Sequence, residues 1–543
     1  MCTVNTVLTH QCSKQISRIM NHRVLARSFH KFQHLSSSLQ PNPVHRNGWE
    51  AVIGLEIHAQ ISSASKLFAR TSTEYGAPPN TQVSIFESAH PGTLPVLNKR
   101  CVEAAVKTAV ALSATINKIS RFDRKHYFYP DLPAGYQITQ SEFPLASNGK
   151  LEFITYNPSV HKFPYRRSVD LIQLQLEEDS GKSIHDTDSN RVLVDLNRAG
   201  QPLMELVFGP QLHSGEEAAA MVKEVALILS KIETCNCRMH EGSLRVDANI
   251  SLHRPGEPLG TRTEVKNLNS LRSLVKAIDF EIERQISILE CGGSVINETR
   301  SFDIETRETV SMRDKEVIQD YRFMPEPNLL PLRLYDSSEL GCDMQGSLDI
   351  YEIRSSVPEL PEAVRQRLMR EYKLSLETAI MFVNDDDLLA YFLAVMSNRA
   401  HNPQIVTNLL LNNLLGVLNS KDVHIRNSPL SAAAFGEIVG MQQSGKISSS
   451  VSKDIMNIIC VDGDPRTPTQ IVHDNKWIQI SDEDIIEQLV DKVLRENPDL
   501  VHKYKQKKKK KFMNALMGKI KAGTDLKTNM NLVNEILSKK LDS

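Results

Sequence analysis

Glu241-Gly242-Ser243-Leu244-Arg245-Val246-Asp247-Ala248-Asn249-Ile250-Ser251-Leu252 alternates apolar and polar side chains. Leu244, Val246, Ala248, Ile250 and Leu252 fall on one face, and Glu241, Ser243, Arg245, Asp247, Asn249 and Ser251 on the other. That period of two belongs to a β-strand, whose successive side chains point to opposite sides. Two other stretches repeat it. Ile53, Leu55, Ile57, Ala59 and Ile61 alternate with Gly54, Glu56, His58 and Gln60. Ile172, Leu174 and Leu176 alternate with Gln173, Gln175 and Glu177, and that run ends in Glu177-Glu178-Asp179. Strands with one apolar and one polar face belong to antiparallel sheets packed on one side.

Outward from these strands, the chain stays strand-like from Trp49 to about Leu332, with turns and few helices. One long amphipathic helix is expected from Ser270 to Glu290, because Leu271, Leu274, Val275, Ile278 and Ile282 form a stripe. Gly292-Gly293 can end it. Beyond the proline-rich passage Pro325 to Pro331 the pattern changes, and from about Pro358 the chain reads as helices. Pro361 suits a first helical turn. Asn384-Asp385-Asp386-Asp387 puts acids where a helix dipole favours them, and Ser481 with Asp484 resembles a capping pair. No internal repeat is visible. The expected class is α+β: a leader and linker over 1–48, a sheet-rich antiparallel domain over 49–340, a helical connector over 341–418 and an all-helical tail over 419–543.

A length of 543 residues suggests about three or four domains. With 41% hydrophobic and 24% charged residues, the composition is that of a globular chain rather than a disordered one. Lys+Arg (64) balances Asp+Glu (65), which excludes a uniformly basic nucleic-acid coat but allows a local basic patch. No apolar run of about 18 residues is present, so no transmembrane helix is expected. Eight irregularly spaced cysteines make no secreted disulfide framework, and Cys235-Asn236-Cys237 has no second pair to complete a zinc site. These cysteines read as structural or inert. Residues 1–49 contain no Asp or Glu but carry Lys14, Arg18, Arg23, Arg27, Lys31 and Ser36-Ser37-Ser38. That is the composition of a mitochondrial transit peptide; an ordinary polar tail is the other reading.

Glu56 and His58, two residues apart on one strand, point the same way about 7 Å apart. That spacing lets them flank one ion or one phosphate. Glu177, Glu178 and Asp179 add oxygen donors at a strand end, and Asp247 stands on a polar strand face beside Glu241 and Arg245. Carboxylate oxygens suit Mg²⁺, and Arg121, Arg124, Lys125, Arg198, Arg245 and Lys266 are candidate partners for phosphate oxygens. Together these groups can make a phosphoryl-transfer site, where catalysis is mostly positioning and charge neutralisation. Taken singly, each face is equally a solvated strand surface, and spacing leaves their convergence open.

No P-loop is present: Gly181-Lys182-Ser183 imitates its end, but Leu176 stands where the first glycine is needed. No G-x-G-x-x-G follows a strand, and no G-x-S-x-G elbow occurs. The segment from Arg121 to Pro133 mixes bases with aromatics, either a cradle for a nucleotide or RNA end or a packed aromatic turn. Lys503, Lys505, Lys507 to Lys511, Lys519 and Lys521 precede the next acid, Asp525, with Phe512, Met513, Leu516 and Met517 among them. This run reads either as an RNA-backbone contact or as a solvated charge run.

Eight motifs occur in order. They are Gly54-Leu55-Glu56-Ile57-His58, Pro91-Gly92-Thr93-Leu94-Pro95-Val96-Leu97-Asn98, Tyr127-Phe128-Tyr129-Pro130-Asp131-Leu132-Pro133 and Leu176-Glu177-Glu178-Asp179-Ser180-Gly181-Lys182. Asn197-Arg198-Ala199-Gly200, the stretch Glu241 to Asn249, Lys266-Asn267-Leu268-Asn269-Ser270 and Asp320-Tyr321-Arg322-Phe323-Met324-Pro325-Glu326-Pro327 complete them. The series resembles the B-subunit family of the glutamyl-tRNA(Gln) amidotransferase, in its mitochondrial form. The resemblance runs from about residue 49 to the C-terminus and is strongest through residue 332.

The resemblance implies a cradle domain, a helical domain and a tail, working in a heterotrimer with an amidase (its A subunit) and a small bridging protein (its C subunit). The amidase releases ammonia from glutamine. With ATP and Mg²⁺, the B subunit phosphorylates the γ-carboxylate of glutamate on misacylated glutamyl-tRNA(Gln), and ammonia displaces phosphate to give glutaminyl-tRNA(Gln). The chain is thereby expected to be one subunit of a carbon–nitrogen ligase with glutamine as amido-N-donor, in the mitochondrial matrix and without membrane contact. The tail is expected to hold the tRNA body and the cradle its acceptor end. By resemblance, Glu56, His58, Glu177, Glu178 and Asp247 match metal-site positions, and Lys125 matches a reaction-centre lysine. Glu56 and Glu178 are expected to be catalytic as well, and Arg198, Glu205 and Arg245 to lie near the nucleotide.

Two departures stand out. Ala69, Thr71, Ser84 and Glu87 occupy the neighbourhood where bacterial members carry zinc-binding cysteines, so no structural zinc is expected there. Ala134 stands where many members have Lys, which leaves Lys125 as the lysine of the reaction centre. Two other readings compete: a tRNA-binding scaffold without turnover, and a stand-alone metal-dependent hydrolase.

Overall fold

A computed structural model describes residues 48–186, 188–314, 321–340, 348–478, 483–507, 510–523 and 530–542. The expected leader up to residue 47, Ser481 of the expected capping pair, and Lys508 and Lys509 of the basic run lie outside these residues. The chain packs as two compact units that divide between Val364 and Arg365. The expected boundary at 340/341 borders the undescribed 341–347, and that at 418/419 falls inside the helix Leu415–Ser420.

The first unit is built on one nine-stranded sheet. Its strands are β1 (Glu50–Gln60), β2 (Thr115–Ile116), β3 (Ala146–Thr155), β4 (Tyr165–Glu178), β5 (Pro202–Phe208), β6 (Leu244–His253), β7 (Thr263–Leu268), β8 (Glu298–Phe302) and β9 (Thr309–Asp314). Their spatial order is β9-β8-β7-β6-β1-β5-β4-β3-β2. Every neighbouring pair is antiparallel except β7 and β8, which run parallel. A parallel pair needs a crossover; the expected amphipathic helix supplies it, with Ser270 as N-cap to Leu271–Glu290.

Three helices, α1 (Lys99–Ala111), α2 (Gly215–Lys231) and α3 (Leu271–Glu290), pack on this sheet. Their apolar sides join the alternate residues Ile53, Leu55, Ile57, Val246, Ala248 and Ile250 in one core. Gly215 matters here: a Cβ at that position would lie 2.8 Å from the Val275 carbonyl oxygen, so only glycine lets the start of α2 approach α3 this closely. The α+β class is borne out.

One strand departs from strict alternation. Ile172, expected on the buried face of β4, is 48% exposed, while Leu171 and Leu174 are buried. The register with β5 shifts here: Gln173 opposes Val207 and Leu171 opposes Phe208, which leaves Ile172 as the extra residue of a bulge.

The second unit has helices and no strands among its described residues. Asp385 caps Asp386–Met396 by accepting the Leu388 N–H, as the acidic run foretold. Pro403–Asn408 runs through a π-turn, Leu409–Leu414, into Leu415–Ser420. The last four helices, Glu483–Glu496, Pro498–Lys507, Lys510–Gly523 and Met530–Asp542, gather a core of their own from Ile486, Val490, Leu516, Ile520, Val533 and Leu537. No helix among the described residues is long and apolar enough to cross a membrane.

Candidate active site

The core occupies one face of the sheet, and the alternation of β1, β4, β5 and β6 sends their polar side chains to the other. The register fixes which of these meet. His58 on β1 lies opposite Arg245 on β6 and Glu205 on β5, and Glu205 lies opposite Gln175 on β4. One row thus crosses four strands. Directly opposed residues share a face, and Glu177 joins that row from two positions along β4. In the neighbouring row Glu56 opposes Asp247.

The first row holds a compact group of donors. His58 Nε2 is 3.5 Å from Glu177 Oε1 and 3.8 Å from Glu205 Oε1. One ligand atom from each of the three lies within 4.8 Å of the others, an arrangement able to hold a metal ion. Gln175 Nε2 donates to Glu205 Oε2 at 2.5 Å, and Thr139 Oγ1 donates to Glu177 Oε2 at 3.4 Å. Both acids are depleted of water. Burial pushes the Glu177 carboxyl above its ordinary range, against the pull of Lys125. Burial, then the charge of Glu177, pushes Glu205 up to about 7, with His58 opposing. Acids held this way favour an added cation.

The second row makes another group from Glu56, Asp247 and Glu264, also within 4.8 Å. This one already holds a cation. Lys266 Nζ lies 3.2 Å from Asp247 Oδ2 and 2.9 Å from Glu264 Oε1. Burial alone would lower the Lys266 pKa, but Asp247 and Glu264 outweigh it and hold the amine above its ordinary range. Asn249 Nδ2 donates to Glu56 Oε1 at 2.9 Å.

Asp179, just past β4, binds two of the expected phosphate ligands. Arg245 Nη2 is 3.0 Å from Asp179 Oδ2, and Arg198 Nε is 3.4 Å from the same oxygen. Arg198 is fixed further by donating from Nε to Ser180 O at 3.0 Å and from Nη2 to Gly181 O at 2.7 Å. Arg245 Nε is buried and has no hydrogen-bond partner among the described residues. Lys125, on the strand Asp123–His126, lies over the rings of Tyr321 and Tyr127 at 4.7 and 5.9 Å. Its charge also acts on both Glu177 and Glu205.

The structure separates other expected members from this centre. Glu178 alternates away from Glu177, and its Oε1 accepts the Ile138 N–H at 3.0 Å. Burial, opposed by that hydrogen bond, raises its carboxyl to about 8. Glu241 lies before β6, in a short 3₁₀ turn, ion-paired with Arg238 at 3.0 Å. Arg124 pairs with buried Glu326 at 2.5 Å, and Arg121 stacks on Phe143 at 4.8 Å.

Sequence reasoning overlooked Glu264 and Gln175 as site members and did not foresee that Asp179 binds both arginines. Gln175 was within reach, because it stands two positions before Glu177 on one strand face. In the neighbourhood without cysteines, Glu87 is buried beside Lys66 at 3.8 Å and accepts hydrogen bonds from the Ser84 N–H at 2.5 Å and Thr71 Oγ1 at 3.3 Å. Burial lowers the Lys66 pKa, opposed by Glu87.

The sheet-rich unit and the helices after it coincide with two family models of a tRNA amidotransferase component: residues 51–338 match the one described as the GatB/GatE catalytic domain, and residues 390–541 match the GatB domain. Named relatives are similar over nearly their whole lengths. The B subunit of the mitochondrial glutamyl-tRNA(Gln) amidotransferase of Aedes aegypti is 48% identical over 89% of this chain and 92% of its own. Its Homo sapiens counterpart is 47% identical over 93% and 92%. The B subunit of the aspartyl/glutamyl-tRNA(Asn/Gln) amidotransferase of Rickettsia rickettsii is 43% identical over 91% and 98%. The chain belongs to the amidotransferase B-subunit family, in its mitochondrial form. It is a ligase subunit of a multi-subunit enzyme of tRNA amidation.

Proposed function

We propose that this chain carries out the ATP-dependent half of glutaminyl-tRNA(Gln) formation. The γ-carboxylate of glutamate on misacylated glutamyl-tRNA(Gln) attacks the terminal phosphorus of ATP, ADP leaves, and a γ-glutamyl phosphate results. Ammonia then attacks the acyl carbon and expels phosphate. The observation that carries this reading is the group His58, Glu177 and Glu205 with Lys125 acting on it and Arg245 beside it.

The chemistry needs such a place. A free carboxylate has no good leaving group, and phosphorylation supplies one while concentrating negative charge. The carboxylates of Glu177 and Glu205 offer the oxygen donors that Mg²⁺ takes; the His58 imidazole is a softer donor that a hard ion takes less readily, so in this reading it acts through a water. In this reading Glu177 and Glu205, with His58, would hold the ion, and it would supply charge neutralisation for phosphoryl oxygens. Glu56 and Asp247 flank it, with Lys266 balancing their charge. Lys125 orients the γ-carboxylate. Arg198 and Arg245, both gathered on Asp179, take phosphate oxygens. Glu178 supports the centre from behind through its contact with Ile138. Ammonia comes from the amidase of the complex, a small third protein completes the heterotrimer, and the helical second unit holds the tRNA body.

The test is conversion of glutamyl-tRNA(Gln) to glutaminyl-tRNA(Gln) by the chain with its two partner subunits, using ammonium chloride in place of glutamine. Product that depends on ATP supports the reading. Binding of tRNA without product, at saturating ATP and Mg²⁺, overturns it in favour of a scaffold.

A further inference from the structure

Lys66 is a buried cation that the proposed reaction leaves unused. Its side chain is fully enclosed, a place where an unpaired charge is costly. Two contacts hold it. Nζ donates to Gln82 O at 2.7 Å and lies 3.8 Å from Glu87 Oε2. Glu87 is buried too, and its other oxygen, Oε1, takes no hydrogen bond among the described residues. Lys66 thus closes the stretch from residue 66 to residue 87 into a loop, from the inside.

That loop grips the turn that bears Arg198. The Gln82 N–H donates to Asn197 Oδ1 at 2.9 Å, and Asn197 Nδ2 donates back to Pro78 O at 2.7 Å. Asn80 ties the preceding residues: its N–H donates to Asp195 Oδ1 at 3.0 Å, its Nδ2 to Val194 O at 2.9 Å, and its Oδ1 accepts the Leu196 N–H at 2.8 Å. Beside Lys66 itself, the Leu67 N–H donates to Gly200 O at 3.0 Å, and the Gly200 N–H donates to Asp179 O at 2.9 Å. The fit is close. Gly200 has φ +77°, and a Cβ there would lie 3.0 Å from Glu87 Cγ. The loop therefore holds both sides of Arg198, at Asn197 and at Gly200. Through Gly200 it also reaches Asp179, the anion shared by Arg198 and Arg245. Arg198 keeps 44% of its side chain open, so it is a cation fixed at its base and accessible to a ligand.

We propose that Lys66 is a positioning residue for nucleotide phosphate: from inside the 66–87 loop it sets the turn at 195–200, and with it the Arg198 guanidinium. This rests on the reading that Arg198 takes phosphate oxygens. Lys66 is enclosed and touches no substrate; its effect passes through Gln82 and Asn197 to the neighbouring Arg198. Without Nζ, Gln82 O loses its donor and Glu87 its cation, and a buried group left unpaired drives the loop to rearrange. A guanidinium binds phosphate through a rigid fork whose strength depends on alignment, so a small shift of the turn is read as weaker nucleotide binding.

The experiment measures equilibrium binding of ATP with Mg²⁺, and separately of glutamyl-tRNA(Gln), to the complete three-subunit enzyme. The variants are Lys66→Met, Asn197→Ala, Arg198→Ala and the double variant Lys66→Met with Arg198→Ala. Lys66→Met is expected to weaken ATP binding about tenfold, the size of one weakened charge-assisted hydrogen bond, and to leave tRNA binding unchanged. Asn197→Ala, which spares the buried pair, is expected to move ATP binding the same way. The double variant is expected to bind ATP no more weakly than Arg198→Ala alone, because Lys66 acts through that arginine. A merely structural role predicts losses that multiply in the double variant, or ATP and tRNA binding that fall together; either result overturns the proposal, as does unchanged ATP binding in Lys66→Met. Should Lys66→Met fail to fold, the same comparison made with Asn197→Ala and Arg198→Ala decides. Full ATP binding by Arg198→Ala removes that arginine from the phosphate and this proposal with it. Because binding is read without turnover, a wild type that behaves as expected but forms no glutaminyl-tRNA sinks the amidotransfer reading and leaves the role of Lys66 standing.

Discussion

Glu177 and Glu178 are neighbours in sequence with unlike surroundings. Glu177 faces His58 across 3.5 Å, and Glu178 faces the Ile138 N–H. Removing charge from the first takes an oxygen donor from the candidate metal group while keeping its shape. Glu177→Gln is therefore expected to lower ATP-dependent amidation about 10²- to 10³-fold, in the range of one lost electrostatic contact to a reacting centre. It is also expected to raise the Mg²⁺ concentration needed for half-maximal rate, with tRNA binding kept within a few-fold; an unchanged Mg²⁺ requirement would remove Glu177 from the metal group. The cysteines give a second residue-level test. Burial pushes the Cys101 thiol up to about 12, whereas Cys291 is exposed past the end of α3. The thiolate is the reactive form, so maleimide at about pH 7.5 is expected to label the Cys291 peptide in native protein and the Cys101 peptide only after unfolding. Native labelling of Cys101 would contradict the burial described.

At the level of elements, α3 is the piece that makes a parallel neighbour possible, and a buried polar network pins it in place. The fully buried Glu281 accepts from Arg284 Nη2 at 2.7 Å, Thr263 Oγ1 at 2.7 Å and Thr309 Oγ1 at 3.0 Å. It thereby ties α3 to β7 and β9. Burial works to raise its pKa, but hydrogen bonds from Arg284, Gln285 and Thr263 outweigh it and hold the carboxyl below its ordinary 4.5. A depressed acid stabilises the fold above its unfolded pKa and loses that contribution as pH falls through the folded one. Glu281→Gln is thus expected to cost about 3–5 kcal/mol at pH 7, the range for removing one partner of a buried pair. The gap in melting temperature from wild type is expected to narrow below about pH 4.5; a gap that stays constant with pH would assign the loss to packing.

The same elements show what the sequence makes readable. Alternation in β1 and β6 exposed both faces correctly, because each run is long and regular. In β4 the bulge at Ile172 broke the period, and nothing local marks a bulge. Asp247 was legible as polar; its partners Glu264 and Lys266 sit on β7, a strand of six residues whose register to β6 also shifts. Pairing between distant strands carries no local signature. For that reason the residue types of the site could be named in advance while its contacts, above all the two arginines on Asp179, could not.

At the scale of the whole molecule, the order of strands in the large sheet differs from their order in the chain. β1 lies between β5 and β6, pairing with residues 203–207 on one side and 244–253 on the other. Ribosomes and import channels deliver a chain from its N-terminus. The first strand therefore emerges with Ile53, Leu55 and Ile57 bare, and more than a hundred residues must follow before either neighbour exists. A fragment ending at residue 195 is expected to leave β1 open to protease, and one ending at 364 to protect it; protection in the shorter fragment would contradict the pairing. The central strand of the face that carries the candidate site is in this sense a keystone set late. Until residue 253 has followed, its apolar face and both its edges lack their partners, and a chain halted before that point is expected to aggregate more readily than one that reaches residue 364.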